Sequence, residues 1–173
     1  MSRAINTNVI RIVLLFFAQV WIFKQASFPV GSLANVHFLI YPMAILLLPV
    51  KTTKSLLLII SFLFGLCLDI LYDSPGIHAA TLVFTGYIRN TVIALLEPFA
   101  GYNVDDVPTI KTMGFTWFFS YVSILLLIHF FVYFSIEAFS YVYFFDIFLN
   151  TICSFVCSII VVMIIQFIFK TKY

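Results

Sequence analysis

The chain has 173 residues, 64% of them hydrophobic and only 9% charged, with a formal net charge of +2 and a mean hydropathy of +1.16. Soluble domains carry about 25% charged residues, so this composition excludes a water-soluble globular protein and predicts an integral membrane protein. The cationic excess is too small to point to nucleic acid.

A spanning helix needs about 20 mostly apolar residues. Six stretches qualify, approximately 9–28, 33–50, 55–72, 76–96, 114–136 and 144–169. The chain is therefore expected to be one all-α transmembrane domain of six helices. Arg11, Gln19 and Lys24 interrupt the first stretch, and the Lys24-Gln25-Ala26-Ser27-Phe28-Pro29 segment after it lacks a small-x-small cleavage site, so it reads as a retained span rather than a signal peptide. Pro42 lies inside the second stretch and predicts a kink there.

Six spans put both termini on one side. With the termini inside, the inner face collects Arg3, Arg11, Lys51, Lys54, Lys111, Lys170 and Lys172, and the outer face keeps only Lys24. The positive-inside rule then predicts cytoplasmic termini and turns the 73–76 tip outward. The 97–113 segment becomes a long cytoplasmic loop containing Pro98, Gly101, Tyr102, Asp105, Asp106 and Pro108.

The third and fourth spans carry the candidate site. Asp69 and Asp73 are four residues apart on one helix face, and His78 follows after Ser74-Pro75-Gly76. A carboxylate at the edge of hydrocarbon is costly, which makes such residues functional candidates. Asp73 or Ser74 is suited to capping the fourth span. Asp69 sits too far down the third span to cap it easily. A paired-acid protease site needs two carboxylates sharing a proton, normally from separate helices, and the i, i+4 spacing disfavours it. A docking or orienting role for Asp69, Asp73 and His78 is the remaining reading. Arg89, two turns from the inner end of the fourth span, is expected to snorkel to the interface.

Elsewhere the polar residues stand singly. His37, His129 and Gln166 suit interhelical hydrogen bonds. Cys67, Cys153 and Cys157 read as small buried hydrophobes, and no ligand spacing for a metal, hydrolase motif or phosphate loop occurs. No cofactor is expected. The ring-rich stretch Phe139-Ser140-Tyr141-Val142-Tyr143-Phe144-Phe145 reads as an interfacial aromatic belt on the outer side.

The order of these features resembles the bacterial rod shape-determining protein MreD family. The resemblance runs through Arg11 and Gln19-Val20, Tyr41-Pro42, Leu46-Leu47-Leu48-Pro49, and the step from Lys51 to Lys54. It continues through Ser61-Phe62, Gly65-Leu66, Asp69, Pro75-Gly76-Ile77-His78-Ala79-Ala80, Arg89, Gly101-Tyr102, Trp117-Phe118 and Tyr121. The resemblance implies a non-enzymatic, multi-pass inner-membrane component of the cell-elongation complex. Such a protein helps to maintain cell shape by organising peptidoglycan synthesis. Its partners would be MreC-like and MreB-like proteins, a RodA-like synthase and a penicillin-binding protein. It also implies a fold similar to the substrate-binding subunits of energy-coupling-factor transporters, leaving a small-molecule-binding membrane subunit as the alternative. Gly65, Asp69, Asp73, Gly76, His78 and Arg89 are then the candidate docking or structural residues, with Gly65 and Ala79-Ala80 offered for close approach of a partner helix. Self-association is left open.

Overall fold

In a computed structural model the described residues are 2–26, 28–30, 34–99, 101–103 and 106–168; the side chains of 2–8, 28–30, 34, 35 and 141 lie outside that description. The chain folds into a helical bundle. Helix α1 (Ser2–Ala18) continues without a break through a π-helical turn at Gln19–Phe23 and a 3-10 turn at Lys24–Ala26. A three-residue hairpin comes next, strand β1 (Phe28–Val30) antiparallel to β2 (Ala34–Val36). Then come the one-turn helix α2 (Met43–Leu46), the helices α3 (Lys54–Tyr72) and α4 (Ile77–Leu95), the short α5 (Ile110–Met113), and the long α6 (Phe115–Ala138) and α7 (Phe144–Ile168).

Four helices are long and apolar enough to cross a membrane: Val9–Ala26, Lys54–Tyr72, Phe115–Ala138 and Phe144–Ile168. They coincide with the first, third, fifth and sixth stretches expected from the sequence, to within a few residues. The fourth stretch is also a helix, but α4 carries His78, Thr81, Thr85 and Arg89 on its buried face, and these dilute its apolar character. Lys170 and Lys172 lie outside the described residues, as does the side chain of Arg3.

The second stretch is not a helix. After the hairpin the chain runs without regular structure from His37 to Ile40, makes one turn of α2, and leaves irregularly through Leu47 to Thr53. Two prolines account for this. Pro42 has no N–H and pushes Tyr41 away from helical angles, so it starts a turn instead of continuing one, and Pro49 keeps α2 from extending beyond that turn. An apolar composition alone does not choose between helix and extended chain.

Non-helical backbone inside a membrane is tolerated only where protein surrounds it. Here Val36 is buried, and Leu39–Tyr41 and Met43–Leu48 are buried and packed with Leu57 and Leu68 of α3, Leu82 of α4, Phe118, Tyr121, Leu125 and Phe130 of α6 and Val162 of α7. The segment is the core of the bundle, and the helices are its wall. The wall's outward faces are apolar, with Leu56, Ile59, Phe62, Leu63 and Ile70 exposed on α3. Cys67 is exposed on that face and Cys153 and Cys157 are partly exposed, so none of the three is the buried hydrophobe expected. A lipid-facing position is as apolar as a core one, and composition cannot separate them.

Helices α3 and α4 form an antiparallel hairpin in close contact. A Cβ on Gly65 would lie 2.4 Å from the Ala79 Cα, and one on Gly86 would lie 2.7 Å from the Ser61 Oγ. Gly65 and Ala79 are thus used within the chain, not left for a partner helix. The turn between them needs positive φ at Asp73 (53°) and Gly76 (83°), which glycine adopts without strain.

Candidate functional site

Most of the polar side chains inside the bundle fall into three groups tied to backbone, with a chain of side chains between them. The first surrounds the α3–α4 turn. Asp69 Oδ1 accepts from the His78 N–H (2.9 Å) and Oδ2 from the Ala79 N–H (3.0 Å), so Asp69 caps α4 from across the hairpin. The tight turn folds residue 78 back beside residue 69, which corrects the expectation that Asp69 is too distant to cap. Asp73 does not cap: it is exposed, in left-handed conformation at the end of α3, and it does not reach His78. Ser74 does the nearby work, donating to Asp69 Oδ1 (2.6 Å) and lying 2.8 Å from His78 Nδ1.

Asp69, His78 and Ser74 are the residue types of a hydrolase triad, but the connectivity differs. A relay needs the carboxylate on one imidazole nitrogen and the hydroxyl on the other. Here both Asp69 (3.0 Å) and Ser74 (2.8 Å) meet Nδ1. Asp69, buried, and Asp73, exposed, do not share a proton-binding site. His78 Nε2 is buried without a hydrogen-bond partner, and the ring lies against Tyr72, Tyr133 and Tyr41 at centroid distances of 4.7, 5.3 and 5.4 Å.

The second group holds the entry half of the irregular segment. Gln19 is fully buried and uses every hydrogen-bonding position of its amide. Its Nε2 donates to the Phe38 carbonyl (3.0 Å) and the Tyr72 hydroxyl (2.8 Å), while Oε1 accepts from the Ile40 N–H (2.8 Å) and Tyr41 N–H (3.3 Å). From the opposite wall, Ser154 Oγ accepts from the His37 N–H (3.0 Å) and Ser158 Oγ from the Leu39 N–H (3.2 Å). Three side chains from α7 and the π-helical turn after α1 thus replace the ladder a helix would have supplied. Lys24 donates to the Leu71 carbonyl (2.5 Å) and lies over the Tyr72 ring, closing the same end.

The third group holds the exit half. Tyr121 donates to the Leu46 carbonyl (2.9 Å) and Arg11 Nη1 to that of Leu47 (3.2 Å). Arg89 Nη2 donates to the carbonyls of Leu48 and Pro49. Arg89 is 0% exposed, which overturns the expectation of snorkelling: its guanidinium turns inward onto the carbonyls of the irregular Leu48–Pro49 stretch. Below it, the Trp117 indole donates to the Leu96 carbonyl (2.7 Å) and the Tyr102 hydroxyl to that of Ile93 (2.9 Å), tying the 97–113 loop to the end of α4. Burial pushes the Tyr102 hydroxyl up, against the opposing effect of its Trp117 bond. The Val50 N–H donates to the Asp106 carbonyl (2.9 Å); residues 100, 104 and 105 of the loop, Asp105 included, lie outside the described residues.

Between the groups, Tyr41, His129 and Thr85 form a closed chain. The Thr85 hydroxyl donates to the Thr81 carbonyl (2.8 Å), so it accepts from His129 Nδ1 (2.8 Å). His129 Nε2 then accepts from the Tyr41 hydroxyl (2.9 Å). A neutral imidazole satisfies every atom, which gives His129 the interhelical role expected for it. Among the described residues no cluster of three or more His, Cys, Asp or Glu is placed to hold a metal ion. Gln19, Ser154 and Ser158 were not singled out by sequence as a set; two prolines in an apolar run facing polar residues on other helices were the available signal.

No family model matches the chain, and comparisons with curated proteins and with solved structures return no match.

Proposed function

We propose that the protein is a non-enzymatic, multi-pass component of the bacterial cytoplasmic membrane that serves the cell-elongation machinery, as the MreD-like order of its residues implies. In this reading the irregular segment and α4 are crossings too, making six with both termini cytoplasmic. The observation that carries the reading is the use of Asp69. Its two oxygens are committed to the N-terminus of α4, to Ser74 and to His78, so the Gly65, Asp69, Gly76, His78 pattern builds a rigid hairpin tip. A tip made rigid in this way suits a docking scaffold.

Partner recognition then falls to what the hairpin presents: the exposed Asp73 at the tip and the apolar outer face of α3. The test is co-purification with an MreC-like partner and rescue of rod shape. Asp73→Asn combined with Ile70→Ala is expected to lower partner recovery while leaving the bundle folded. Full recovery and normal shape would rule out docking at this tip.

A small-molecule-binding subunit is the second reading, favoured by the buried, unpartnered His78 Nε2 among three tyrosine rings. Native mass spectrometry of the detergent-purified chain tests it. A stoichiometric adduct lost in His78→Phe supports it, and a bare chain counts against it.

A further inference from the structure

A guanidinium carries five N–H groups. In Arg89, Nη2 is engaged on the Leu48 and Pro49 carbonyls, and Nε and Nη1 are buried without a well-aligned acceptor. The Tyr121 hydroxyl, which donates to the Leu46 carbonyl, lies beside the guanidinium. Among the described residues no carboxylate lies at ion-pair distance from it. At that end of the bundle Glu97 is exposed, and the Asp106 carboxylate accepts from the Asn103 N–H. Arg89 is therefore a fully buried cation, fixed in orientation by two carbonyls and beside a tyrosine hydroxyl, with no anionic partner among the described residues. Buried charges are ordinarily paired, because leaving them alone is among the costliest arrangements in a membrane.

The surroundings indicate the sign and route of a counter-charge. Arg11 is half-buried on the neighbouring Leu47 carbonyl, and successive Cα atoms are about 3.8 Å apart, so a second guanidinium sits over the adjacent peptide group. Lys51, Lys54 and Lys111 are exposed at the same end. Arg89 lies six residues before the end of α4, about 9 Å below it along the helix. A headgroup reaching that depth has to part α1 from the Leu47–Val50 stretch, where Arg11 Nη1 holds the Leu47 carbonyl (3.2 Å). Basic pockets between membrane helices take lipid phosphates in this way, and a guanidinium fork matches phosphate oxygens.

We propose that Arg89 anchors a site for a phosphate group entering from the lysine-bearing end of the bundle. The site stands independently of the cell-elongation reading. The lipid and the free ion share this chemistry, and the test separates them. Thermal unfolding of the full chain is followed in neutral detergent micelles with phosphatidylglycerol or phosphatidylcholine added, and separately with inorganic phosphate or chloride at matched ionic strength. Phosphatidylglycerol is expected to raise Tm by roughly 5 °C over phosphatidylcholine. An equal rise with inorganic phosphate assigns the free group as sufficient, and its absence assigns the lipid headgroup.

Arg89→Lys retains the charge for folding but loses the fork, and is expected to lose most of the shift. Lys51→Ala with Lys54→Ala is expected to keep at least half of it. No shift with either anion in the unaltered chain overturns the proposal. So does a shift that survives Arg89→Lys undiminished, or one that disappears only with the lysines, which would make it a diffuse surface-charge effect.

Discussion

Replacing Gln19 by Met removes four hydrogen bonds at nearly constant volume. Gln19 is fully buried, so no bulk water reaches the groups left behind. The Tyr72 hydroxyl keeps an acceptor, since it also lies 3.3 Å from the backbone carbonyl of residue 19. The N–H groups of Ile40 and Tyr41 lose the acceptor that Gln19 gives them. An orphaned buried group costs about 1–3 kcal/mol, and the Tyr41 bond at 3.3 Å is the weakest of the set. The expected loss is therefore about 2–4 kcal/mol, a large part of the roughly 5–15 kcal/mol that holds a folded chain. Denaturant titration in mixed micelles measures it, with Ile22→Met in the same π-helical turn as control. Ile22 is exposed, and its substitution is expected to cost less than about 0.5 kcal/mol. A Gln19→Met loss under about 1 kcal/mol would refute the assignment of Gln19 as the segment's backbone partner.

Six further substitutions separate the contacts described. Ser154→Ala and Ser158→Ala are each expected to cost about 1–2 kcal/mol and to speed amide exchange at His37 and Leu39 respectively, read by hydrogen–deuterium exchange. Gly65→Ala forces a Cβ onto the Ala79 backbone and is expected to destabilise by about 3 kcal/mol, whereas Gly86→Ala meets only the rotatable Ser61 hydroxyl and should cost under about 1 kcal/mol in the same titration. Asp69→Ala strips the N–H groups of His78 and Ala79 of their acceptor, an expected loss of about 2–5 kcal/mol, and Asp69→Asn, which keeps one acceptor oxygen, should lose less.

Much of the wall of this bundle was legible in the sequence. The runs that became α3, α6 and α7 are long, apolar and free of proline, and their ends fall within a few residues of those expected. The core was not legible, for a physical reason. Residues 33–50 have the composition of a spanning helix, and hydropathy reports an apolar setting, not backbone geometry. Pro42 and Pro49 together forbid a regular helix there, and one proline read as a kink understated them. The same gap hid the partners. Gln19 looked like a blemish in a weak span, and Ser154 and Ser158 looked like ordinary small residues, until an unwound neighbour needed their oxygens.

Asp69 and Arg89 show the limit of spacing arguments. Nine residues separate Asp69 from His78, and only the left-handed turn at Asp73 and Gly76 brings them to 3.0 Å. Arg89 could be placed at its depth from sequence, but its direction depends on carbonyls from a segment then taken to be helical. Both residues stand out by the scarcity of charge in an apolar chain.

The central claim is that residues 37–50 form an irregular core held by side chains from the surrounding helices. Residue-resolved amide exchange along 37–50, in the unaltered chain and in Gln19→Met, tests it most directly. The account predicts slow exchange at His37, Leu39, Ile40 and Tyr41 in the unaltered chain, with Ile40 and Tyr41 accelerating selectively in the variant. Uniform protection of all four amides, unchanged by Gln19→Met, would indicate a regular helix there and contradict it.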